Sequence, residues 1–344
     1  MNEAVPSDPR EHARLHWARA ALGDAGARLQ RASVDAGFRS YWRATVADGR
    51  TFVVMDSPPE REDVRPWLDM RTLLLDGGVR VPQVLAQDEA RGFLLLEDLG
   101  PRTLAQLLDE DNADTLFDAA FAQLIRLQRI AAPAGLGRFG PALLARDAGL
   151  FDEWFLQRHL GLALDADDSA TLARMQQLLA DNALAQPQVL VHRDFMPRNL
   201  MPATDGPAVL DFQDCVLGPV AYDPVSLFKD TTVSWPLARV DNWLARYHAQ
   251  AGAAGIALPP LPAFLRDADW LGVQRHLKCL GIFARLNHRD GKTWYLDNVP
   301  RFLGYLEEVL PRHAELHPLL ELLQRRVRPA LEQRAPALPA TTAS

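Results

Sequence analysis

The sequence predicts an α+β protein of two lobes, a small five-stranded antiparallel lobe followed by a larger, mostly helical one. Three observations carry this. Short runs rich in β-branched and aromatic residues, broken by turn residues, fill 29–97 with one helical run among them. After Gly100-Pro101 the pattern changes to long stretches with apolar residues at helical spacing. At 344 residues the chain is also long enough for each lobe to bury a core of its own.

Taken in order, 10–22 carries Leu15, Ala18 and Leu22 at helical spacing and predicts a first amphipathic helix. Strands follow at 29–35, 41–46 and 51–55. The last two flank Asp48-Gly49, a dipeptide that favours a type I′ hairpin because both central residues need positive φ. A helix fits 63–76, with Trp67, Met70, Leu74 and Leu75 on one side and Gly77-Gly78 ending it. Two more strands at 83–87 and 92–97 complete the small lobe, whose boundary is expected at about residue 98. Helices then fit 103–109, 113–131, 149–160, 168–182, 223–230, 236–252, 262–288, 298–310 and 314–328. Asp223 reads as the N-cap of the helix at 223–230, with Pro224 at its first position. The domains are therefore 1–98, 99–328 and an Ala/Pro/Thr-rich tail, 329–344, expected to lack regular structure.

Bulk properties narrow the function. Hydrophobic and charged contents of 48% and 24% are those of an ordinary globular protein. A net charge of −7 argues against nucleic acid or an anionic membrane surface as the main partner. No apolar run reaches the length of a membrane span, and the first residues lack the apolar region of a signal peptide. Cys215 and Cys279 give neither a disulfide framework nor a metal spacing, so a cytoplasmic location is expected. Almost all the basic residues are arginine, and the first lysine is Lys229.

The chemistry concentrates in 189–214, VLVHRDFMPRNLMPATDGPAVLDFQD. Asp194, Asn199 and Asp211 stand around two apolar runs, 189–191 and 208–210. Two short strands joined by a turn would bring those polar ends together at one edge. One carboxylate to take a proton, with an Asn and a second carboxylate to hold Mg²⁺, is the set that phosphoryl transfer needs. Any single member could be a turn residue, but the three together are hard to read as chance. His192 reads as loop support. Asp214 is a candidate for a second metal or the acceptor, with a solvated loop carboxylate as the alternative.

A small mixed lobe followed by a helical lobe with HRDFMPRN and LDFQD resembles the aminoglycoside phosphotransferase and choline kinase family over nearly the whole chain. That resemblance implies a two-lobed protein-kinase-like fold, Mg²⁺, and ATP or GTP as phosphate donor. It also implies that adenine packs at the lobe junction and hydrogen-bonds to the backbone of Leu96, Glu97 and Asp98. Closer still, VVMDSPPERED, VLDFQDCVLGPVAYDPVSL and GIFARLNHRDGK are similar to bacterial anomeric sugar kinases of peptidoglycan recycling. Those transfer phosphate from ATP to the 1-OH of N-acetylmuramate and N-acetylglucosamine, so nucleotide and amino sugar are the implied partners.

The small lobe departs from the kinase pattern. Kinases place a lysine on the third strand, paired with a helix glutamate, to hold the donor phosphates. Here Met55 stands at that strand position, Asp69 stands where the helix glutamate is expected, and 36–40 has a single glycine. Backbone N–H groups, Ser40 and an arginine such as Arg39 or Arg43 are the replacements considered. For the acceptor, 272–292 holds five Lys/Arg and one acid, with Arg275, Lys278, Arg285 and Arg289 on one helical face. A basic stripe fits a carboxylate-bearing or neutral sugar better than a polycationic aminoglycoside. Arg275 and Lys278 are the candidates, with Asp230 for a sugar hydroxyl. Three alternatives stay open: a kinase of the same family for an aminoglycoside or small alcohol, a metal-dependent hydrolase using His192, Asp194, Asp211 and Asp214, and a nucleotide-binding pseudokinase.

Overall fold

The computed structural model describes residues 8–33 and 38–334. The elements run α1 (Pro9–Leu22), β1 (Arg28–Ser33), β2 (Ser40–Thr45), β3 (Thr51–Asp56), α2 (Arg65–Asp76), β4 (Val84–Asp88) and β5 (Phe93–Glu97). After a 3₁₀ turn at Leu104–Gln106 come α3 (Ala113–Gln128), α4 (Pro141–Gly149), a π-helical segment Leu150–His159 and α5 (Ala166–Ala185). Four short strands follow: β6 (Gln188–Val191), β7 (Leu200–Met201), β8 (Ala208–Val209) and β9 (Val216–Pro219). The rest is helical: α6 (Tyr222–Phe228), α7 (Leu237–Ala253), α8 (Leu261–Asp290), α9 (Val299–Val309), α10 (His317–Leu322) and α11 (Arg328–Arg334). Among the described residues no helix is long and apolar enough to cross a membrane.

Two compact units result, one made of Met1–Ile130 with Asp194–Cys215 and the other of Ala131–Arg193 with Val216–Ser344. In the first, β1-β2-β3-β5-β4 form one antiparallel sheet, as the alternating runs predicted. Its α1 is capped by Asp8 and stopped by Gly23 at φ 66°. Trp17 and Ala18 pack on Ala44, Val54, Phe93 and Leu95. The same helix brings Arg10 and Arg14 to Asp56, at 2.7 Å each, so this carboxylate is only 2% exposed yet fully compensated. The β2–β3 turn is not type I′. Only Gly49 has positive φ, because Asp48 instead accepts from the Arg50 N–H and guanidinium.

Residues 194–215 join this unit through two anchors. The N–H of Val209 donates to the Arg80 carbonyl (2.8 Å), and Phe212 packs on Trp67 with ring centroids 5.0 Å apart.

In the second unit α8 is the central element, buried over most of its first two-thirds. It packs against the π-helical segment where Gly281 lies so close that a Cβ would sit 2.3 Å from the Leu150 carbonyl carbon and 2.6 Å from the Phe151 nitrogen. Phe151, Phe155, Leu277, Leu280, Phe302 and Leu306 are among the side chains of this core.

Several expectations change. The predicted helix at 103–109 is a single 3₁₀ turn, closed by a Thr103–Gln106 capping box. The helix expected from 149 starts at Pro141, whose fixed φ suits a first turn, and Gly149 lies inside the helical run. The stretch 314–328 is broken into 3₁₀, α and π pieces. Of the tail expected to lack structure, 329–334 is helical, because Ala330 and Leu331 pack on the core; 335–344 lie outside the described residues.

Two stability predictions follow from this packing. Gly281→Ala forces a methyl into backbone and should cost about 1–3 kcal/mol, read as a lower denaturant midpoint at unchanged slope. His159 stacks on Phe155 and lies 3.2 Å from His288; burial, with the His288 and Arg334 charges adding, pulls it down to about 4 from 6.5. The folded state thus keeps the ring neutral. Its stabilising effect is complete above pH 6.5 and is lost as pH falls towards 4. Thermal melts across that window should flatten in His159→Gln.

Candidate active site

The two apolar runs around the motif do not pair with each other. Residues 188–191 pair with 216–219, and 208–209 pair with 200–201, giving two separate hairpins. The shorter connection at 202–207 closes the second hairpin locally and buries Leu200 and Val209.

This second hairpin brings the predicted metal pair together. Asn199 ends a 3₁₀ turn, and its carbonyl accepts from the Leu210 N–H at 2.9 Å, so Asp211 is the residue next to the one across from Asn199. The Asn199 amide nitrogen donates to the Asp194 carbonyl (2.9 Å), which leaves the carboxamide oxygen as its ligand end. Asp194's carbonyl also accepts from the Met196 N–H, so 194–199 is one closed turn. Asp211 is exposed, has φ 59°, and accepts from Gln213 at 2.8 Å, while its neighbour Phe212 is fully buried. Positive φ in a non-glycine residue costs energy and is held here by the buried Phe212. A carboxylate with a carboxamide oxygen is the hard-oxygen set that fits Mg²⁺ when phosphates and water complete the shell. Among the described residues no cluster of three or more His, Cys, Asp or Glu could hold a metal.

On the chain's other side of Asp194, the loop is set by Asp223. Its carboxylate, fully buried, accepts from the N–H of His192 (2.7 Å) and of Arg193 (2.9 Å). Arg193 has φ 75°. Asp223 was expected as a helix N-cap. The helix instead starts at Tyr222 without a side-chain cap, and the carboxylate turns back to the loop, where two backbone donors make the stronger claim. His192, expected to support this loop, is itself fully buried.

On the donor side, Met55 is fully buried opposite Tyr41 and Leu94, so the third strand offers no cation. Arg43 is engaged with Asp98 through two bonds of 2.5 and 3.0 Å and with the Gly100 carbonyl. Burial works to raise Asp98, but Arg43, the Gly100 N–H and Thr51 outweigh it and hold the carboxyl below its ordinary range. The Glu97 N–H is taken by the Gln83 carbonyl (3.0 Å), its side chain pairs with Arg80, and Leu96 lies buried in β5. Ser40's hydroxyl accepts from the Trp42 indole (2.9 Å). Arg39 pairs with Glu62 at 2.7 Å.

The acceptor candidates have separate surroundings. Asp214 is exposed in its turn. Asp230 is buried and accepts from the Thr231 and Thr232 hydroxyls and the Thr231 N–H. Arg275, buried, donates to the Lys229 carbonyl (3.3 Å). Lys278 donates to the Tyr222 hydroxyl (3.0 Å) and lies 3.7 Å from Asp147. The expected basic face is therefore divided: Arg275 and Lys278 are internal, while Arg289 is exposed and paired with Asp290. Sequence reasoning missed Asp223, Glu62 and Asp147. Only Asp223 left a signal, in Tyr-Asp-Pro beyond the motif, and it was read as a cap.

A five-stranded antiparallel sheet with a mostly helical remainder, carrying Asp194, Asn199 and Asp211 in one turn-and-hairpin, defines a kinase-like phosphotransferase. The sequence matches the phosphotransferase enzyme family (APH) over residues 28–266, and the chain belongs to that family. It is 53% identical to a Pseudomonas putida protein named N-acetylmuramate/N-acetylglucosamine kinase, over 86% of this chain and 87% of that one. Proteins of the same name from Pseudomonas aeruginosa and Neisseria meningitidis serogroup B are 51% and 42% identical, over 86% and 85% of this chain and 88% of each of theirs. Among solved structures, choline kinase LicA from Streptococcus pneumoniae has a TM-score of 0.62 at 15% identity, covering 87% of this chain and 99% of that one. The ADP-bound aminoglycoside phosphotransferase APH(2'')-Ib has 0.59 at 14%, covering 85% and 97%. At those identities the likeness is one of fold.

Asp223→Ala leaves the buried His192 N–H without an acceptor, at about 1–3 kcal/mol, and the part-buried Arg193 N–H as well. Phosphotransfer by Asp223→Ala should fall further than by Asp223→Asn, which keeps one acceptor oxygen. Turnover and chemical unfolding, measured on both variants, check this order.

Proposed function

We propose that this chain transfers the γ-phosphate of ATP to the anomeric hydroxyl of N-acetylmuramate and N-acetylglucosamine, in the cytoplasmic recycling of cell-wall sugars. The observation that carries the reading is the 53% identity to a kinase of that name, spread over 86% of the chain and therefore over both compact units.

The residues take roles that this chemistry requires. Asp194 orients the acceptor hydroxyl and takes its proton, a task eased by the greater acidity of an anomeric hydroxyl. Asn199 and Asp211 would hold Mg²⁺, which supplies neutralisation of the donor phosphates when bound. The backbone of Leu96, Glu97 and Asp98 receives the adenine, where apolar packing and main-chain polar groups suit a purine. Ser40 and Arg39 face the phosphates. Arg43, bonded to Asp98 and Gly100, is better suited to fix the end of the adenine strand than to leave it for a phosphate. Asp214, the exposed carboxylate, is assigned to a second metal or the acceptor. Asp230, Arg275 and Lys278 are assigned to the sugar, Lys278 with the lactyl carboxylate that muramate carries. We assign the nucleotide to 1–98, and the catalytic loop and the acceptor to 99–328.

The test is ATP with a panel of amino sugars and the product located by phosphorus NMR. An acid-labile sugar 1-phosphate is expected, and Asp194→Asn should lower turnover by roughly 10²- to 10⁴-fold with nucleotide affinity retained. Phosphate at another sugar position, or release of free phosphate with no acceptor needed, would sink the reading.

A further inference from the structure

With Met55 buried and no lysine before Lys229, some other cation must face the donor phosphates of an ATP-using kinase. The helix partner is missing too: Asp69 on α2 is exposed. The structure brings a different cation and carboxylate together a short step along the same strands. Ser40 pairs with Asp56 at the end of the β2–β3 ladder, so Arg39 stands just beyond that end. Glu62 stands in the segment between β3 and α2, on the chain leaving the same end. Arg39 Nη2 and Glu62 Oε1 are 2.7 Å apart, with side chains only 13% and 32% exposed.

Glu62 rests on a fixed platform. Its carbonyl accepts from the Ser57 hydroxyl (3.1 Å), and Ser57 is fully buried. The Ser57 N–H donates to the Gly92 carbonyl (2.9 Å), and a Cβ at Gly92 would fall 1.8 Å from the Ser57 carbonyl oxygen. The Glu62 N–H donates to the Pro58 carbonyl (3.0 Å). A guanidinium carries five N–H donors, so one bond to Glu62 orients it and leaves donors for phosphate oxygens. Burial works against the charge of Arg39, yet Glu62, Tyr41 and Asp211 together outweigh it and keep it cationic. The metal-site carboxylate and this guanidinium thus feel one another within one compact unit.

We propose that Arg39, oriented by Glu62, is the donor-phosphate clamp of this enzyme, a cation–carboxylate pair moved from the third strand and helix to the β1–β2 and β3–α2 connections. This rests on the kinase reading but not on the identity of the sugar.

The test titrates ATP, ADP and adenosine into the full chain by calorimetry, for the wild type, Arg39→Gln, Arg39→Lys and the charge swap Arg39→Glu with Glu62→Arg. Arg39→Gln should lose roughly ten- to a hundredfold in affinity for ATP and ADP while adenosine affinity holds. Arg39→Lys, which keeps the charge but not the fork, should fall between. The swap should recover the thermal midpoint and not the ATP affinity, because it restores the ion pair and not the cation's place. An unchanged ratio of ATP to adenosine affinity in Arg39→Gln overturns the proposal. So does recovery of ATP affinity by the swap, which would make the pair only structural. Should Arg39→Gln fail to fold, the lysine variant and the swap carry the same comparison. A wrong acceptor sugar leaves every one of these readouts in place, whereas a wild type that binds no ATP overturns this proposal and the kinase reading together.

Discussion

The buried carboxylate of Asp223 is the constraint on which the loop at 192–193 depends. It accepts from two consecutive backbone N–H groups, the buried one of His192 and the part-buried one of Arg193. Arg193 is held with φ 75°, a conformation that a non-glycine residue adopts only when its surroundings over-determine it. One residue later stands Asp194, and there the chain passes from the second compact unit into the first. The chain leading into Asp194 is therefore held by a side chain 29 positions downstream of it, through the backbone of His192 and Arg193.

A second theme is the use of arginine where lysine is absent. Asp56 takes Arg10 and Arg14, Asp98 takes Arg43, Glu97 takes Arg80, and Glu62 takes Arg39. Guanidinium suits such part-buried pairs because its planar fork matches a carboxylate and it cannot be deprotonated. The pairs do not have equal freedom. Asp56 is closed over by two arginines, and Arg43 spends bonds on both Asp98 oxygens and Gly100. Arg39 is held by one bond and lies within the field of Asp211, which separates it from the purely architectural members.

Much of the fold was legible because it rests on local signals. Five strands, the helix between them and the long helices beyond 113 came from periodicity and turn residues. What failed were features fixed by distant partners. The apolar runs at 189–191 and 208–210 could be seen as strands, yet their partners, 216–219 and 200–201, carry no signature beyond the shorter connection. The π-helical turns of Leu150–His159 arise where α8 approaches closely at Gly281, and no propensity in the segment itself announces that. Asp223 was seen and misread, since Asp before Pro is as good a cap as it is a loop anchor.

The site divides along the same line. Asp194, Asn199 and Asp211 could be proposed from the sequence because phosphoryl transfer with a metal would call for those residue types close together in the chain. Acceptor recognition has no such rule. Arg275 and Lys278 share a helical face with Arg285 and Arg289, and helical spacing alone makes the four equivalent. Burial makes them unequal: Arg275 is bound to the Lys229 carbonyl, Lys278 to Tyr222 beside buried Asp147, and Arg289 to its neighbour at the surface. Among the described residues Asp147 has no hydrogen-bond partner for either carboxylate oxygen, with Lys278 at 3.7 Å and Arg146 at 3.8 Å. A buried carboxylate in that state is compensated by charge and not by hydrogen bonds, so Lys278 is held to it by the cost of leaving Asp147 unpaired. Whatever Lys278 does towards a sugar, it must do without abandoning Asp147, and that coupling is invisible in a sequence where the two stand 131 positions apart.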